Sequence, residues 1–154
     1  MKVLVDTNVV VRAAQPNSPG WPTIEQALSK LIGLGGKLCL VPQNLYELWV
    51  VATRPTNANG FGLDAAAATS MIEDALTKFQ LMRDERGIFD HWLNLIQVHQ
   101  ILGKTAHDGR LVAAMQRHSI SNILTFNKGD FSRFPICVFS PADIISGVIP
   151  KSRR

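Results

Sequence analysis

The run 3-VLVDTNVV-10 is apolar except for Asp6, Thr7 and Asn8 at its centre. Residues 2–5 read as a short strand of the kind buried on both faces in a parallel sheet. A strand buried in that way has no use for a carboxylate. The triplet therefore either ends the strand and caps the next helix, or is the first piece of a site.

Outward from this run, strands and helices alternate. A helix is expected over 8–14, closed by the two prolines of 15–20, and an amphipathic helix over 23–34, stopped by Gly35 and Gly36. A strand over 37–41 leads to a helix that starts at Pro42, runs to about 53 and is broken by Arg54-Pro55. The turn-rich loop 56–62 (TNANGFG) precedes a helix over 63–77, a short strand over 79–82 and helices over 85–102 and 105–118. Strands over 122–126 and 136–139 follow, and 140-SPAD-143 opens a short last helix as a capping box. This order predicts a three-layer α/β/α domain around a mostly parallel sheet of four to five strands, over 1–150, with a basic tail at 151–154. In such sheets ligands bind beyond the carboxyl ends of the strands.

Composition narrows the classes. The chain is 154 residues long, 46% hydrophobic and 18% charged, values that suit one compact domain and exclude disorder. No run approaches the ~20 apolar residues of a membrane span. Asp6 and Arg12 interrupt the N-terminal apolar run and no cleavage site follows, so a mature cytoplasmic protein is expected. Cys39 and Cys137, both in apolar strand-like runs, are expected to be buried free thiols. The net charge of +4 permits a polyanionic partner.

The acids carry the chemistry. Glu47 is the only charge in 45-LYELWVVAT-53, its neighbours one turn on are Val50 and Val51, and Arg54 at i+7 is a possible ion-pair partner. Asp108 lies in 105-TAHD-108, where it can close a capping box, yet Leu111, Val112 and Met115 share its face, which turns it toward the core. Asp130 follows the strand 122-NILTF-126 in the turn-like NKGDF. Each has a local explanation, but together with Asp6 they fall after strands or on inward helix faces. Two like charges ~4 Å apart repel by roughly 4 kcal/mol at an effective dielectric near 20. A cluster of four must therefore be neutralised by protons or cations, and oxygen-only donors favour Mg²⁺ or Mn²⁺ over zinc. His91, His99, His107 and His118 lack i, i+4 pairing and are expected to lie at the surface or to support a site from behind.

VLVDTNVV, the glutamate of NLYELWVVATRP, and HDGRLVAAMQRHSISNILTFNKGDF together resemble the PIN-domain ribonucleases, above all the VapC-type toxins of type II toxin–antitoxin pairs. The resemblance covers essentially the whole chain. By its pattern Asp6, Glu47, Asp108 and Asp130 match the four acidic metal-site positions, Thr7 and Asn8 the polar residues behind the first acid, and Asn127 the polar residue after the fourth strand. Gly109 departs from it, standing where many members have a helix former after the third acid. The resemblance implies a Mg²⁺- or Mn²⁺-dependent endoribonuclease with one or two ions, acting on single-stranded RNA. It also implies a homodimer and a cognate antitoxin protein. Arg54, Arg110 and Lys128 would meet substrate phosphates at the rim, though each also reads as a surface charge.

Two other readings compete. A non-catalytic PIN-like module would bind RNA or a partner without cleaving. An aspartyl-nucleophile phosphatase of the haloacid dehalogenase kind also begins hydrophobic-Asp, but its pattern needs a second acid where this chain has Asn8.

Overall fold

The computed structural model describes residues 1–150; the basic tail at 151–154 lies outside the described residues. Five strands, β1 (Lys2–Val5), β2 (Lys37–Leu40), β3 (Gln80–Leu81), β4 (Asn122–Leu124) and β5 (Cys137–Phe139), form one sheet in the order β3-β2-β1-β4-β5. Every pairing is parallel, with Leu4 opposite Cys39 on one side and Ile123 on the other. The chain builds outward from β1 to β3, then returns to place β4 on the free side of β1. The strand order therefore reverses between β1 and β4, and the crevice for a ligand opens there.

Alternation along the strands divides the core. Val3, Val5, Leu38, Leu40 and Leu124 face one layer, made by α1 (Thr7–Ala13), α2 (Trp21–Gly33), α3 (Pro42–Thr53), α4 (Ala65–Lys78) and α8 (Pro141–Ser146). Leu4, Cys39, Val41 and Ile123 face the other, made by α5 (Gly87–Val98), α6 (Thr105–Arg117) and the short α7 (Lys128–Phe131). The result is a three-layer α/β/α domain, with α6 buried from Leu111 to Met115 by apolar side chains. Among the described residues no helix is long and apolar enough to cross a membrane.

Local chemistry explains the element ends. The α2 helix stops where Gly36 N–H donates to the Leu31 carbonyl (2.9 Å) and Gly35 N–H to that of Ile32 (2.9 Å), with Gly35 at φ +80°. The expected box at the last helix forms: Ser140 Oγ accepts from Asp143 N–H (3.1 Å), and Asp143 Oδ2 accepts from Ser140 N–H (2.9 Å).

Several expectations change. The helix expected over 85–102 occupies only Gly87–Val98. The box at 105–108 does not form, because Thr105 is already helical and Lys104 precedes it in αR geometry with no side-chain cap. Asp108 is thereby released from capping. The NKGDF turn is instead the one-turn helix α7, held down by the buried Phe131. Both cysteines are free, but only Cys39 is buried; Cys137 is half-buried because β5 is an edge strand.

Gly109 sits buried in α6 against α5. A Cβ there would meet Ile96 at 3.6 Å, Trp92 at 3.8 Å and Phe134 at 3.9 Å, all ordinary contacts. Alanine costs ~1 kcal/mol less than glycine in a helix interior. Gly109→Ala is expected to raise the melting temperature by roughly 2–4 °C, read by calorimetry; a fall would show that α5 and α6 cannot accept the methyl group.

Candidate active site

At the end of β1 the chain turns directly into α1, with Asp6 as its N-cap. The Asp6 carboxylate is nearly buried and both oxygens are occupied. Oδ1 accepts from Thr7 N–H and Oδ2 from Thr125 Oγ–H, each at 2.7 Å. Thr125 is wholly buried just beyond β4. Its oxygen also accepts from Asn8 Nδ2 (3.3 Å) and from Asn127 N–H (3.0 Å). A hydroxyl has one donor and two lone pairs. All are used here, so the proton of Thr125 has to point at Asp6. Asn8 completes the link by accepting from Phe126 N–H through Oδ1 (3.3 Å).

A second anchor lies beyond β2. Asn44, fully buried in the first turn of α3, accepts from Val41 N–H (2.9 Å) and donates to Thr7 Oγ1 (3.1 Å). One turn earlier than Glu47 on the same helix, Gln43 donates from Nε2 both to Glu47 Oε1 (2.8 Å) and to the His107 carbonyl (3.0 Å). Its Oε1 accepts from Arg110 Nη1 (3.4 Å). One amide thus ties the second acid to the backbone immediately before the third.

Asp6, Glu47, Asp108 and Asp130 all line a single cleft at the carboxyl ends of the strands, with Thr7, Asn8, Asn127 and Arg54. Their electrostatics couple. Burial pushes the Asp6 carboxyl above its ordinary 3.8, the bonds from Thr125 and Thr7 pull it down, and Glu47 and Asp130 push it up again. Asp108 rises from 3.8 to about 6, first through burial, then through Asp130, Asp6 and Glu47, with His107 opposing. As the side chains stand, no three Asp, Glu, His or Cys groups among the described residues meet in one metal-sized cluster; the carboxylates ring the cleft instead. The donor set still fits a divalent ion: oxygen only, partly buried and mutually repelling.

The other expected residues divide. Arg54 does not pair with Glu47. The α3 helix ends at Thr53, and the extended backbone of Arg54 takes it off the helical face, so that Nη2 donates to the Asn59 carbonyl (3.0 Å). The loop beyond is tight: a Cβ on Gly60 would lie 1.9 Å from the Arg54 carbonyl oxygen. Arg110 pairs with Asp84 (3.1 Å) and Lys128 with Asp143 (2.8 Å). Of the histidines, His91 and His107 are exposed, His118 Nε2 contacts the Arg83 carbonyl (2.7 Å), and His99 packs edge-on against Phe134.

Sequence reading passed over Thr125, Gln43, Asn44 and Arg12. A polar residue closing the apolar strand NILTF was the available signal for Thr125. Gln43 and Asn44 read as ordinary residues of a helix start, and their roles exist only across elements.

The PIN domain family model matches residues 3–136. A search of curated protein sequences finds no match. Among solved structures, the chain is similar to VapBC2 from Rickettsia felis, crystallised with a DNA fragment from the VapBC2 promoter (TM-score 0.68, 14% identity, 91% of this chain and 98% of that one). It is also similar to FitAcB from Neisseria gonorrhoeae (0.65, 19%, 91% and 98%). A third is VapC20 from Mycobacterium tuberculosis, described as a sarcin–ricin loop cleaving toxin (0.61, 18%, 84% and 92%). At these identities the likenesses bear on the fold.

Two predictions follow from the site's bonding and charge. Thr125→Val keeps the shape but leaves Asn127 N–H and one Asn8 donor without their acceptor and Asp6 without its donor. It is expected to cost about 1–3 kcal/mol in denaturant unfolding, with Thr125→Ser largely restoring it. Because the folded Asp108 holds its proton up to about 6, against 3.8 ordinarily, its stabilising contribution is complete below 3.8 and is lost as pH rises through 6. In EDTA, the melting temperature of Asp108→Asn relative to wild type is therefore expected to climb between pH 4.5 and pH 7.5. A difference that stays flat over that range would contradict the coupling.

Proposed function

The chain belongs to the PIN domain family, and from that we propose that it is a divalent-metal-dependent endoribonuclease that cleaves single-stranded RNA, the toxin of a toxin–antitoxin pair. The observation that carries this reading is the ring of four carboxylates around one cleft at the point where the strand order reverses. Asp6, Glu47, Asp108 and Asp130 would hold one or two Mg²⁺ or Mn²⁺ ions. Such an ion, when bound, supplies Lewis-acid polarisation of the phosphodiester and a water of lowered pKa.

The chain's own groups do the rest. Thr125 and Thr7 orient Asp6 and, because both carboxylate oxygens are acceptors, oppose the upward push of burial on its carboxyl. Asn8 and Asn127 fix Thr125 in that role. Gln43 sets Glu47 relative to the start of α6. Such supporting bonds typically change metal affinity or activity 10–100-fold when removed. Arg54, at the rim, would take an RNA phosphate, whereas Arg110 and Lys128 are engaged in ion pairs.

The partner readings rest on the same cleft and on the neighbours. VapBC2 was crystallised bound to a DNA fragment from its promoter, and VapC20 is described as a sarcin–ricin loop cleaving toxin. By analogy, this chain acts on RNA in the cytoplasm, forms a homodimer, and is held inactive by a cognate antitoxin that inserts a basic side chain among the acids. A second reading, a non-catalytic RNA- or partner-binding module, draws on the absence of a tight metal cluster among the described residues.

Defined single-stranded RNAs incubated with Mg²⁺ are expected to be cut. EDTA should stop the reaction, and Asp6→Asn should lower it more than 100-fold while remaining folded by circular dichroism. Cleavage retained by purified Asp6→Asn overturns the reading. Mn²⁺ binding without cleavage would favour the second one.

A further inference from the structure

The cleft holds two cations besides its acids. Arg12 on α1 and Arg54 after α3 both line it, yet neither is ion-paired with a carboxylate among the described residues. Arg54 is fastened to the Asn59 carbonyl. Arg12 is exposed, and its guanidinium carbon lies 4.9 Å from the centroid of the Phe126 ring.

Phe126 is an aromatic residue outside both halves of the core. It directly follows Thr125, and its N–H is bound to Asn8, so its backbone is locked into the network that orients Asp6. The residue is nevertheless 37% exposed, and it sits between two residues of the cleft wall, its ring under Arg12 and its chain running on into Asn127. Packing does not account for a part-exposed aromatic whose ring carries a guanidinium that pairs with no carboxylate among the described residues. Nor is the cleft sized for an ion alone. Its volume is about 450 Å³, many times the ~30 Å³ share of a water molecule in the liquid, and it falls in the range of sites that take organic ligands.

A guanidinium presents a planar fork to a phosphate and a flat face to a base. Unpaired bases stack on aromatic rings and on arginine planes, whereas bases inside a duplex cannot reach them. We propose that Arg12 and Phe126 form a nucleotide subsite beside the acids, with Arg12 holding a backbone phosphate and the Phe126–Arg12 pair stacking the unpaired base next to the bond to be cut. This rests on the ribonuclease reading above and adds to it the reason for a single-stranded substrate.

The test is fluorescence anisotropy with a labelled 12-nucleotide single-stranded RNA, in Ca²⁺ in place of Mg²⁺, over a range of salt concentrations. Arg12→Gln is expected to weaken binding about tenfold and to reduce the slope of log affinity against log salt by ~0.7, the loss of one phosphate contact. Phe126→Leu should weaken binding about as much through lost stacking, with the slope unchanged. Arg12→Lys should keep the slope and lose part of the affinity. Calorimetric Mn²⁺ affinity and melting temperature should match wild type in all three. Folded variants that bind RNA as wild type does overturn the subsite and leave the ribonuclease reading standing. A wild-type protein that neither binds nor cuts RNA removes that reading first, and the subsite with it.

Discussion

The bond that orients the site runs from Thr125 Oγ–H to Asp6 Oδ2, 2.7 Å, just beyond the parallel ladder that joins β1 and β4. These strands meet where the chain, having built outward to β3, returns to the opposite side of β1. Every other feature of the site refers to that pair. Asn8 and Asn127 saturate the hydroxyl, so its proton has one direction available. Asn44 ties Thr7 to α3, and Gln43 carries the connection on from Glu47 to α6. Four acids from four segments line one cleft, and the side-chain bonds that fasten Asp6 and Glu47 come from neutral amides and a hydroxyl rather than from cations.

That choice of fasteners has an electrostatic reason. A lysine or arginine paired with each acid would neutralise it and remove its capacity to take a cation. Neutral donors orient a carboxylate while leaving its charge in place. The consequence is the upward push on Asp6 and Asp108, driven first by burial and then by their acidic neighbours. The site is thus held at some expense in stability by a core that is close-packed on both faces of the sheet, a common arrangement where a scaffold positions groups that repel. The basic residues obey the same logic. Arg110 and Lys128 are paired with Asp84 and Asp143, outside the ring. Arg12 and Arg54 lie within the cleft without such partners among the described residues.

Much of this was legible in the chain itself. The α3 helix begins at Pro42 and ends at Thr53, as the proline and the Arg54-Pro55 break require. The capping box at Ser140 is likewise a local device, made by residues three apart. The errors fall where a neighbouring segment overrides local chemistry. Thr105-Ala-His-Asp108 has the form of a cap, yet Gly103 and Lys104 extend the turn backward and leave Asp108 pointing elsewhere. Asp130 has turn-forming neighbours, but Phe131 finds a place in the core and draws the segment into a helical turn. Arg54 shares a helical face with Glu47 only if the helix continues, and it does not.

The sequence by itself determined the alternation of strands and helices, and hence a parallel sheet with its ligand end at the strands' carboxyl termini. It also determined which carboxylates stood in apolar surroundings, because periodicity and charge are properties of nearby residues. Only the tertiary structure decided which polar groups meet them. Thr125 lies 119 residues from Asp6, and Gln43 lies 64 from His107. A single threonine or glutamine carries no sign of its partner, since a hydrogen bond across a fold is set by where two backbones end rather than by what precedes either residue. The same holds for Arg12: its neighbours in the chain make it a surface charge on α1, and only the return of β4 beside β1 sets Phe126 beneath it at the edge of the acids.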